Sequence, residues 1–243
     1  MSVPAETATK TSRKAYAVRA IEEMILSGRL SIGQPIPPER ELALTLGVSR
    51  PVVHEAMVEL AAAGLVLVIP RQGSVVNDFR STGSLSLFAS IVQYAEGPVE
   101  RELLEGMFSI RELLESEAAG SAAERGTEEQ FGRIRRIIAD ETAAGPADVE
   151  LLVALDFSFH HAVAAASGNI LLPLFMNTFK PIYTNLSRQF YRDLDDPSEV
   201  TDFHVSLAAA MEARDRAAAE RTMRMMLRHG AGALRHAAGD VHA

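Results

Sequence analysis

The sequence contains no cysteine, and this absence excludes several kinds of chemistry at once. Disulfide bonds, thiolate metal sites and cysteine nucleophiles all require a cysteine sulfur, so none of them can occur in this chain. The sequence also lacks a hydrophobic run of the ~20 residues that a membrane-spanning helix needs. Its first residues, MSVPAETATKTSRK, have no apolar segment of the kind that marks a secretory signal. These absences predict a cytoplasmic protein with no membrane partner.

Basic residues are fewer than acidic ones, 24 against 32, so the 243 residues carry a net charge of −8. This negative charge argues against nucleic acid as a partner. The charge is unevenly distributed, however. Residues 1–80 hold 9 basic and 8 acidic residues, whereas the remainder holds 15 basic and 24 acidic residues. The asymmetry predicts two regions with different tasks, although solvated surface produces similar asymmetries.

The N-terminal region has the pattern of three helices that follow a polar tail, residues 1–12, which we predict to be disordered. Apolar residues recur at helical spacing over 16–26, and the prolines and glycine of LSIGQPIPP then exclude a helix. A second helix is predicted in ERELALTLG. The third begins after Ser49, a good N-cap, has Pro51 in its first turn, and ends at Gly64.

Two β-branched runs in LVLVIPRQGSVVND flank the turn-forming PRQGS and predict a β-hairpin. Three helices with a short turn between the second and third, followed by a hairpin, are typical of a winged helix-turn-helix. We place this domain at residues 13–78 and a polar linker at 79–84. Residues 85–240 show helical patterns only, at roughly 84–95, 99–125, 128–143, 147–167, 170–191 and 197–238, with a bend near 213–215. The predicted fold is therefore mainly α, a winged helix-turn-helix joined to an antiparallel bundle of about six to seven helices.

A recognition helix needs hydrogen-bond donors in its first turns, because those residues face base edges in the major groove. Ser49, Arg50 and His54 lie in that window, and Arg40 lies at the start of the preceding helix. Arg50 can bind guanine bidentately, which contributes roughly 1–3 kcal/mol of discrimination. An ordinary amphipathic helix would show the same spacing. The residues expected to face inward are Val52, Val53, Ala56, Met57 and Leu60.

The segment PIPPERELALTLGVSRPVVHEAMVELAAAGLVLVIPRQGSVV resembles the DNA-binding domain of the GntR family of bacterial transcription regulators. That family combines a Pro-x-Glu-Arg-Glu-Leu helix with Gly-Val-Ser-Arg, Val-Arg-Glu-Ala-Leu, Gly-Leu-Val and a glycine-containing wing. The match covers nearly all of residues 15–77. By position, the resemblance implies that DNA is contacted by Arg40, Ser49, Arg50, Pro51 and His54, and at the wing tip by Arg71, Gln72 and Gly73.

His54 departs from the family pattern, which usually has arginine at this position. A neutral histidine offers one donor and one acceptor, its charge depends on a pKa near ~6.5, and it cannot reproduce the arginine fork. We expect the mode of binding to persist while the base preference at this position differs. A contact to phosphate alone is the alternative.

Asp156 and His160 lie four residues apart in LDFSFHHAVAAASGN, so they share one face of a helix. Such a pair can ligate one divalent ion, but a capped or partly buried histidine gives the same pattern. This segment, with SIRELLESEAAGSAAERG and the last helices, resembles the helical effector-binding domain (FCD) of FadR-type GntR regulators. The resemblance implies metal ligands at Asp156, His160 and His204. The fourth family histidine falls on Met226, and His229 is the nearest histidine, so the fourth ligand is open between them. The alternatives are three protein ligands with water or the effector completing the shell, and a site without metal.

The resemblance also implies that Arg111 lines an effector pocket, where its guanidinium suits a carboxylate. A surface salt bridge with Glu115 is the competing interpretation. We therefore expect a homodimeric regulator, a repressor, that binds a palindromic double-stranded operator and is controlled by a small organic acid, with Zn, Ni or Mn as the candidate metal. The alternatives are a regulator that senses the ion itself and a metal-dependent enzyme that uses Asp156, His160 and His204, with Glu150 or Asp202 as base.

Overall fold

The computed structural model describes residues 5–83, 87, 101–145, 147–194 and 196–239. The chain divides into two compact units, residues 1–95 and 96–243. The predicted helix at 84–95 lies, apart from Leu87, outside the described residues. Leu87 is buried in the core of the first unit, which therefore extends past the predicted linker at 79–84.

The first unit is a winged helix-turn-helix, as predicted. Its elements are α1 (Ala5–Leu26), α2 (Glu39–Leu46), α3 (Arg50–Ala63), β1 (Val66–Ile69), β2 (Gly73–Val76) and α4 (Phe79–Thr82). The helix α1 begins at Ala5, so residues 5–12 are helical where the sequence predicted a disordered tail. Alanine, glutamate and lysine in this stretch are good helix formers and can extend a helix that is anchored further along the chain. The short α4 lies where we predicted the linker.

The turn between α2 and α3 follows from two residues. Gly47 closes α2 in the left-handed conformation, at φ 64°, and its N–H bonds back to the carbonyl oxygens of Ala43 and Leu44. Ser49 occupies the N-cap position of α3 with extended backbone, but its side chain makes no capping hydrogen bond. Its hydroxyl is therefore not used to begin the helix.

The inward face of α3 is the one predicted from periodicity: Val52, Val53, Ala56, Met57 and Leu60 are all buried. They join residues of α1, α2 and the hairpin in a single hydrophobic core. The strands β1 and β2 pair antiparallel, with Val66 opposite Val76 and Ile69 opposite Gly73. The segment before α2 supports β2, because Ile36 N–H donates to the Ser74 carbonyl oxygen over 2.8 Å.

The second unit is helical throughout its described part, as predicted. Its elements are α5 (Arg101–Arg125), α6 (Glu128–Ala143), α7 (Val149–Ala166), α8 (Leu171–Asp193), α9 (Ser198–Glu212) and α10 (Arg216–Gly239). The predicted bend near 213–215 is present as the break between α9 and α10, where Arg214 adopts a φ of 60°. Arg214 donates to the carbonyl oxygens of Ala123 and Gly126, which satisfies the last turn of α5.

The helix α7 lies at the centre of this unit. It is 18 residues long with a mean hydropathy of 1.4, the length and composition of a membrane span, but 56% of it is buried inside the protein. Phe159 and Val163 are fully buried in the main core, together with Leu207 of α9 and Met223 of α10. The polar residues Asp156 and His160 of α7 therefore face the interior of the unit rather than solvent.

Candidate functional site

The predicted DNA-contacting residues of the first unit are all exposed. They occupy the start of α2, the start of α3 and the tip of the β1–β2 hairpin: Arg40, Ser49, Arg50, Pro51, His54, Arg71, Gln72 and Gly73. The opposite face of α3 forms the core, so the helix presents its polar first turns to solvent. At the wing tip, Arg71 takes a φ of 65° and Gly73 a φ of 101°.

Glu39, at the first position of α2, contacts two of these residues and was missed by the sequence reasoning. His54 Nδ1 lies 2.7 Å from Glu39 Oε1, and Arg50 Nε donates to Glu39 Oε2 over 3.3 Å. The hydrogen bond with His54 lowers the pKa of Glu39, partial burial opposes this, and the Arg50 hydrogen bond adds to the lowering. Glu39 is therefore an ionised carboxylate that holds the Arg50 and His54 side chains in the first turns of α3.

In the second unit, the structure brings together the three residues predicted as metal ligands. One ligand atom from each of Asp156, His160 and His204 lies within 4.8 Å of the others, and all three residues are buried. Asp156 Oδ1 is 3.8 Å from His160 Nε2 and 3.7 Å from His204 Nε2. Protein ligands lie about 2.1 Å from a transition-metal ion, so atoms less than about 4.2 Å apart can share one.

Each of these three residues is oriented by a second side chain, and most of these partners had no signal in the sequence. Glu141 Oε2 lies 2.8 Å from His204 Nδ1, and Glu115 Oε2 lies 2.5 Å from His160 Nδ1. Tyr183 donates its hydroxyl to Asp156 Oδ2 over 2.5 Å, and Ser187 Oγ lies 3.4 Å from the same oxygen. Carboxylates on the outer nitrogens of histidine ligands are a common feature of metal sites. Tyr191 also forms a side-chain hydrogen bond with Asp156, whose Oδ1 lies within 3.8 Å of both Nε2 atoms.

Acidic groups outnumber permanent cations in this buried cluster. It contains the three carboxyl groups of Glu115, Glu141 and Asp156 and one guanidinium, that of Arg111. Burial raises the pKa of Glu115, but Arg111 and then His160 outweigh burial and lower it to about 2. Burial followed by the charge of Asp156 raises the pKa of Tyr183, which therefore stays a donor.

Four buried atoms of the cluster have no hydrogen-bond partner: His204 Nε2, Glu141 Oε1, His160 Nδ1 and Glu115 Oε2, the last two of which face each other as an ion pair. A buried polar atom without a partner is costly, and a bound metal ion is one way to satisfy it. The unpartnered Nε2 of His204 and the convergence of two imidazoles and a carboxyl group therefore fit a divalent cation at this point. The donor set of two imidazoles and a carboxylate is one that zinc, nickel and manganese accept.

The two candidates for a fourth ligand, Met226 and His229, both line the same cavity as Asp156 and His160, but they differ in exposure. Met226 is buried, at 6% exposure. His229 is 38% exposed, its Nε2 lies 3.6 Å from Glu199 Oε2, and its ring packs on Phe203. His229 is not part of the group of three within ligand distance among the described residues.

Arg111 combines features of both interpretations drawn from the sequence. It does pair with Glu115, with 2.6 Å between Nε and Oε1, but the pair is part-buried rather than on the surface: Glu115 is buried and the Arg111 side chain is 20% exposed. Its guanidinium carbon lies 4.5 Å from the ring centre of Tyr183. Arg111 also lines a cavity of about 50 Å³ with Asp156, His160 and Tyr183. It thus faces both the predicted metal ligands and an internal space.

A winged helix-turn-helix with exposed donors on its third helix, followed by a helical unit with a buried polar cavity, defines a transcription regulator with a separate sensory part. Comparison with known proteins agrees. Residues 13–76 match the gntR family of bacterial regulatory proteins, and residues 106–229 match the FCD domain. The chain belongs to the GntR family, in the FadR-type branch that carries an FCD domain, and it is a DNA-binding transcription regulator. The expectation of an FCD-type GntR regulator is confirmed.

The relatives of this chain carry matching names. It is 24% identical over 200 residues to the fatty acid metabolism regulator protein of Proteus mirabilis, covering 82% of this chain and 81% of that protein. It is 34% identical over 165 residues to the HTH-type transcriptional regulator Mce2R of Mycobacterium tuberculosis, covering 65% of each. The family and these relatives are regulators, so the alternative of a metal-dependent enzyme is wrong.

Solved structures share the fold at low sequence identity. E. coli McbR/YncC has a TM-score of 0.52 at 17% identity, covering 97% of this chain and 99% of that chain. Lar, which controls the expression of the Listeria monocytogenes agr system, has a TM-score of 0.56 at 15% identity, covering 92% and 96%. At these identities the likeness concerns the architecture alone.

Proposed function

We propose that this regulator is a cytoplasmic homodimer that represses transcription by binding a palindromic operator through the start of α3 and the wing tip. The supporting observation is that all eight predicted contact residues are exposed while the opposite face of α3 is buried. Arg50 would bind guanine with its terminal amino groups. The hydroxyl of Ser49, which makes no helix-capping hydrogen bond, would form a hydrogen bond to DNA. Arg40 and Arg71 supply charge for phosphates, so affinity should fall with salt.

We further propose that the second unit holds a divalent ion through Asp156, His160 and His204, and binds a small organic acid beside it. When bound, the ion supplies a positive centre for a carboxylate. Arg111 would orient the acid, with its own position held by Glu115 and Tyr183. With Met226 at the fourth family position, three protein ligands leave room in the shell for water or for the acid, because a thioether suits soft ions rather than zinc, nickel or manganese.

The size of the cavity supports a small ligand. A volume of about 50 Å³ is enough for roughly four water molecules and is far below the roughly 300 Å³ at which pockets for drug-sized ligands begin. A neighbouring apolar cavity, which Arg111 also lines, measures only about 20 Å³. These volumes favour a short acid over a long acyl chain. Binding would control transcription by favouring one arrangement of the two DNA-binding units over another.

The test of the proposed function is a binding assay on the DNA that flanks the protein's own gene, at moderate salt. We expect specific binding that falls roughly 5- to 150-fold in Arg50→Ala, the range that one bidentate base contact implies. Arg19→Ala, which removes the same charge from an exposed position on α1, is the matched control and should bind within about twofold of wild type. Absence of specific binding, with or without candidate acids, would contradict the proposal.

The same assay separates an acid-responsive regulator from one that senses the ion. The protein is dialysed against a chelator, its metal content is measured, and DNA affinity is then titrated with acids and with metal separately. Retention of the metal, with an acid changing DNA affinity, makes the ion structural. A change in affinity with metal alone would instead favour the metal-sensing alternative.

A further inference from the structure

The contact between Glu39 and the first turns of α3 bears on which base this protein prefers. One carboxylate holds two side chains: His54 Nδ1 lies 2.7 Å from Oε1, and Arg50 Nε donates to Oε2 over 3.3 Å. The His54 and Arg50 side chains are 65% and 73% exposed, whereas that of Glu39 is 28% exposed. Glu39 therefore anchors both side chains and leaves most of each open to a partner.

The chemistry of the carboxylate determines where His54 carries its proton. An ionised carboxylate only accepts hydrogen bonds, so the histidine nitrogen that faces it must carry a hydrogen. The lowered pKa of Glu39 keeps it ionised at neutral pH. A neutral histidine has one N–H only, and this contact places it on Nδ1. Nε2 is then left with a lone pair and can only accept.

We propose that Glu39 fixes His54 in the Nδ1–H tautomer, so that His54 presents an acceptor to the operator and prefers adenine or cytosine. The inference rests on the proposed function, in which the start of α3 contacts base edges. In the major groove, the amino groups of adenine N6 and cytosine N4 are donors, whereas guanine presents N7 and O6 and thymine presents O4. An arginine at position 54 would be a donor only and would favour guanine. The departure from the family pattern thus reverses the hydrogen-bonding role at this position.

Arg50 keeps its role under the same arrangement. Its Nε is bound by Glu39, and its two terminal amino groups remain for a bidentate contact with guanine. Glu39 is thus a positioning residue for two neighbours with opposite preferences, an arginine that donates and a histidine that accepts. We expect each half-site to carry a guanine and, at a separate position, an adenine or a cytosine.

The first experiment tests the tautomer without DNA. Ring-nitrogen NMR spectra are recorded at pH 8 on the full chain labelled with 15N-histidine, with His54→Gln to identify the His54 signals. We expect a protonated Nδ1 and a bare Nε2 in the wild type. In Glu39→Gln we expect a mixture of the two His54 tautomers, because an amide can both donate and accept a hydrogen bond. Glu41→Gln removes the same charge from the exposed side of the same helical turn and should leave the signals unchanged. A protonated Nε2 in the wild type would overturn the proposal.

The second experiment tests base preference by selection from a random operator library. The position whose preference changes in His54→Arg is the one that His54 contacts, and there the wild type should favour adenine or cytosine roughly fivefold, the effect of one hydrogen bond. Glu39→Gln should reduce that preference, Glu41→Gln should not, and His54→Arg should favour guanine. If the wild type enriches a motif that His54→Arg leaves unchanged, or favours guanine or thymine there, only this inference fails. If no motif is enriched, the proposed function fails with it.

Discussion

Replacement of Asp156 by asparagine should change the stability of the second unit in opposite directions with and without metal. Without metal, Asp156 shares its buried cluster with the carboxyl groups of Glu115 and Glu141, so the asparagine removes one of three buried acidic groups that only Arg111 opposes as a permanent cation. Its amide can also donate to the unpartnered His204 Nε2. We therefore expect metal-free Asp156→Asn to be at least as stable as the metal-free wild type, although the change affects a buried residue with three hydrogen-bond partners, Tyr183, Ser187 and Tyr191.

With metal, the order should reverse. At a metal concentration of 100 times its dissociation constant, the wild type gains about 2.7 kcal/mol. If the loss of one ligand weakens binding by about 100-fold, the same concentration stabilises the variant by only about 0.4 kcal/mol. The difference of about 2.3 kcal/mol corresponds to roughly 5–9 °C in melting temperature for a unit of this size.

Thermal unfolding monitored in chelator and then in zinc, nickel or manganese measures both effects. Asp202→Asn is the matched control, because it makes the same change at an exposed position on α9, two residues from His204. It should respond to metal as the wild type does. The reasoning is refuted if Asp156→Asn gains as much from metal as the wild type, or if it is markedly less stable than the wild type in chelator.

Three further predictions concern the first unit. Val53→Ala, at a fully buried position on α3, should lower the free energy of unfolding measured in urea by about 2 kcal/mol. Val58→Ala, at 56% exposure on the same helix, should change it by less than about 0.5 kcal/mol. Equal losses in the two variants would contradict the burial of Val53. Arg71→Gly should remove the conformational strain of a non-glycine residue in the left-handed region and stabilise the unit by about 1 kcal/mol, while it weakens DNA binding. A loss of stability would show that Arg71 is not strained. The pKa of Glu39 in the folded protein lies below its ordinary value of 4.5, so the contribution of Glu39 to stability is present above pH 4.5 and is lost as the pH falls through the lowered pKa. The free energy of unfolding measured in acid should therefore depend less on pH in Glu39→Gln than in the wild type. An unchanged dependence would count against the His54 contact.

Much of the first unit could be predicted because its signals are local. The apolar spacing on α3 identifies its buried face, and Gly47 and Gly64 mark the helix ends because both need left-handed backbone. The hairpin follows from two β-branched runs around a turn. In the second unit, the spacing of Asp156 and His160 was likewise enough to place both on one face of α7.

The partners of these residues could not be predicted, because they come from other elements of the fold. Glu141 and His204 lie on α6 and α9, and no pattern in either helix indicates their contact. Glu115 was visible four residues after Arg111, but this spacing is far more common on helix surfaces, and only burial distinguishes the two cases. Glu39 belongs to a recognisable family motif, yet its contact with His54 requires the geometry of the turn between α2 and α3.

The shared carboxylate of Glu115 has a consequence for how this protein can evolve. The carboxylate contacts Arg111 through one oxygen and His160 through the other, so the residue facing the cavity and a predicted metal ligand depend on the same side chain. A substitution of Arg111 that admits a new ligand would leave Glu115 without its cation and would disturb His160 as well. Natural variants that change ligand preference should therefore accumulate elsewhere around the cavity, at positions such as Phe190 and Val200, while the three linked residues change together or not at all.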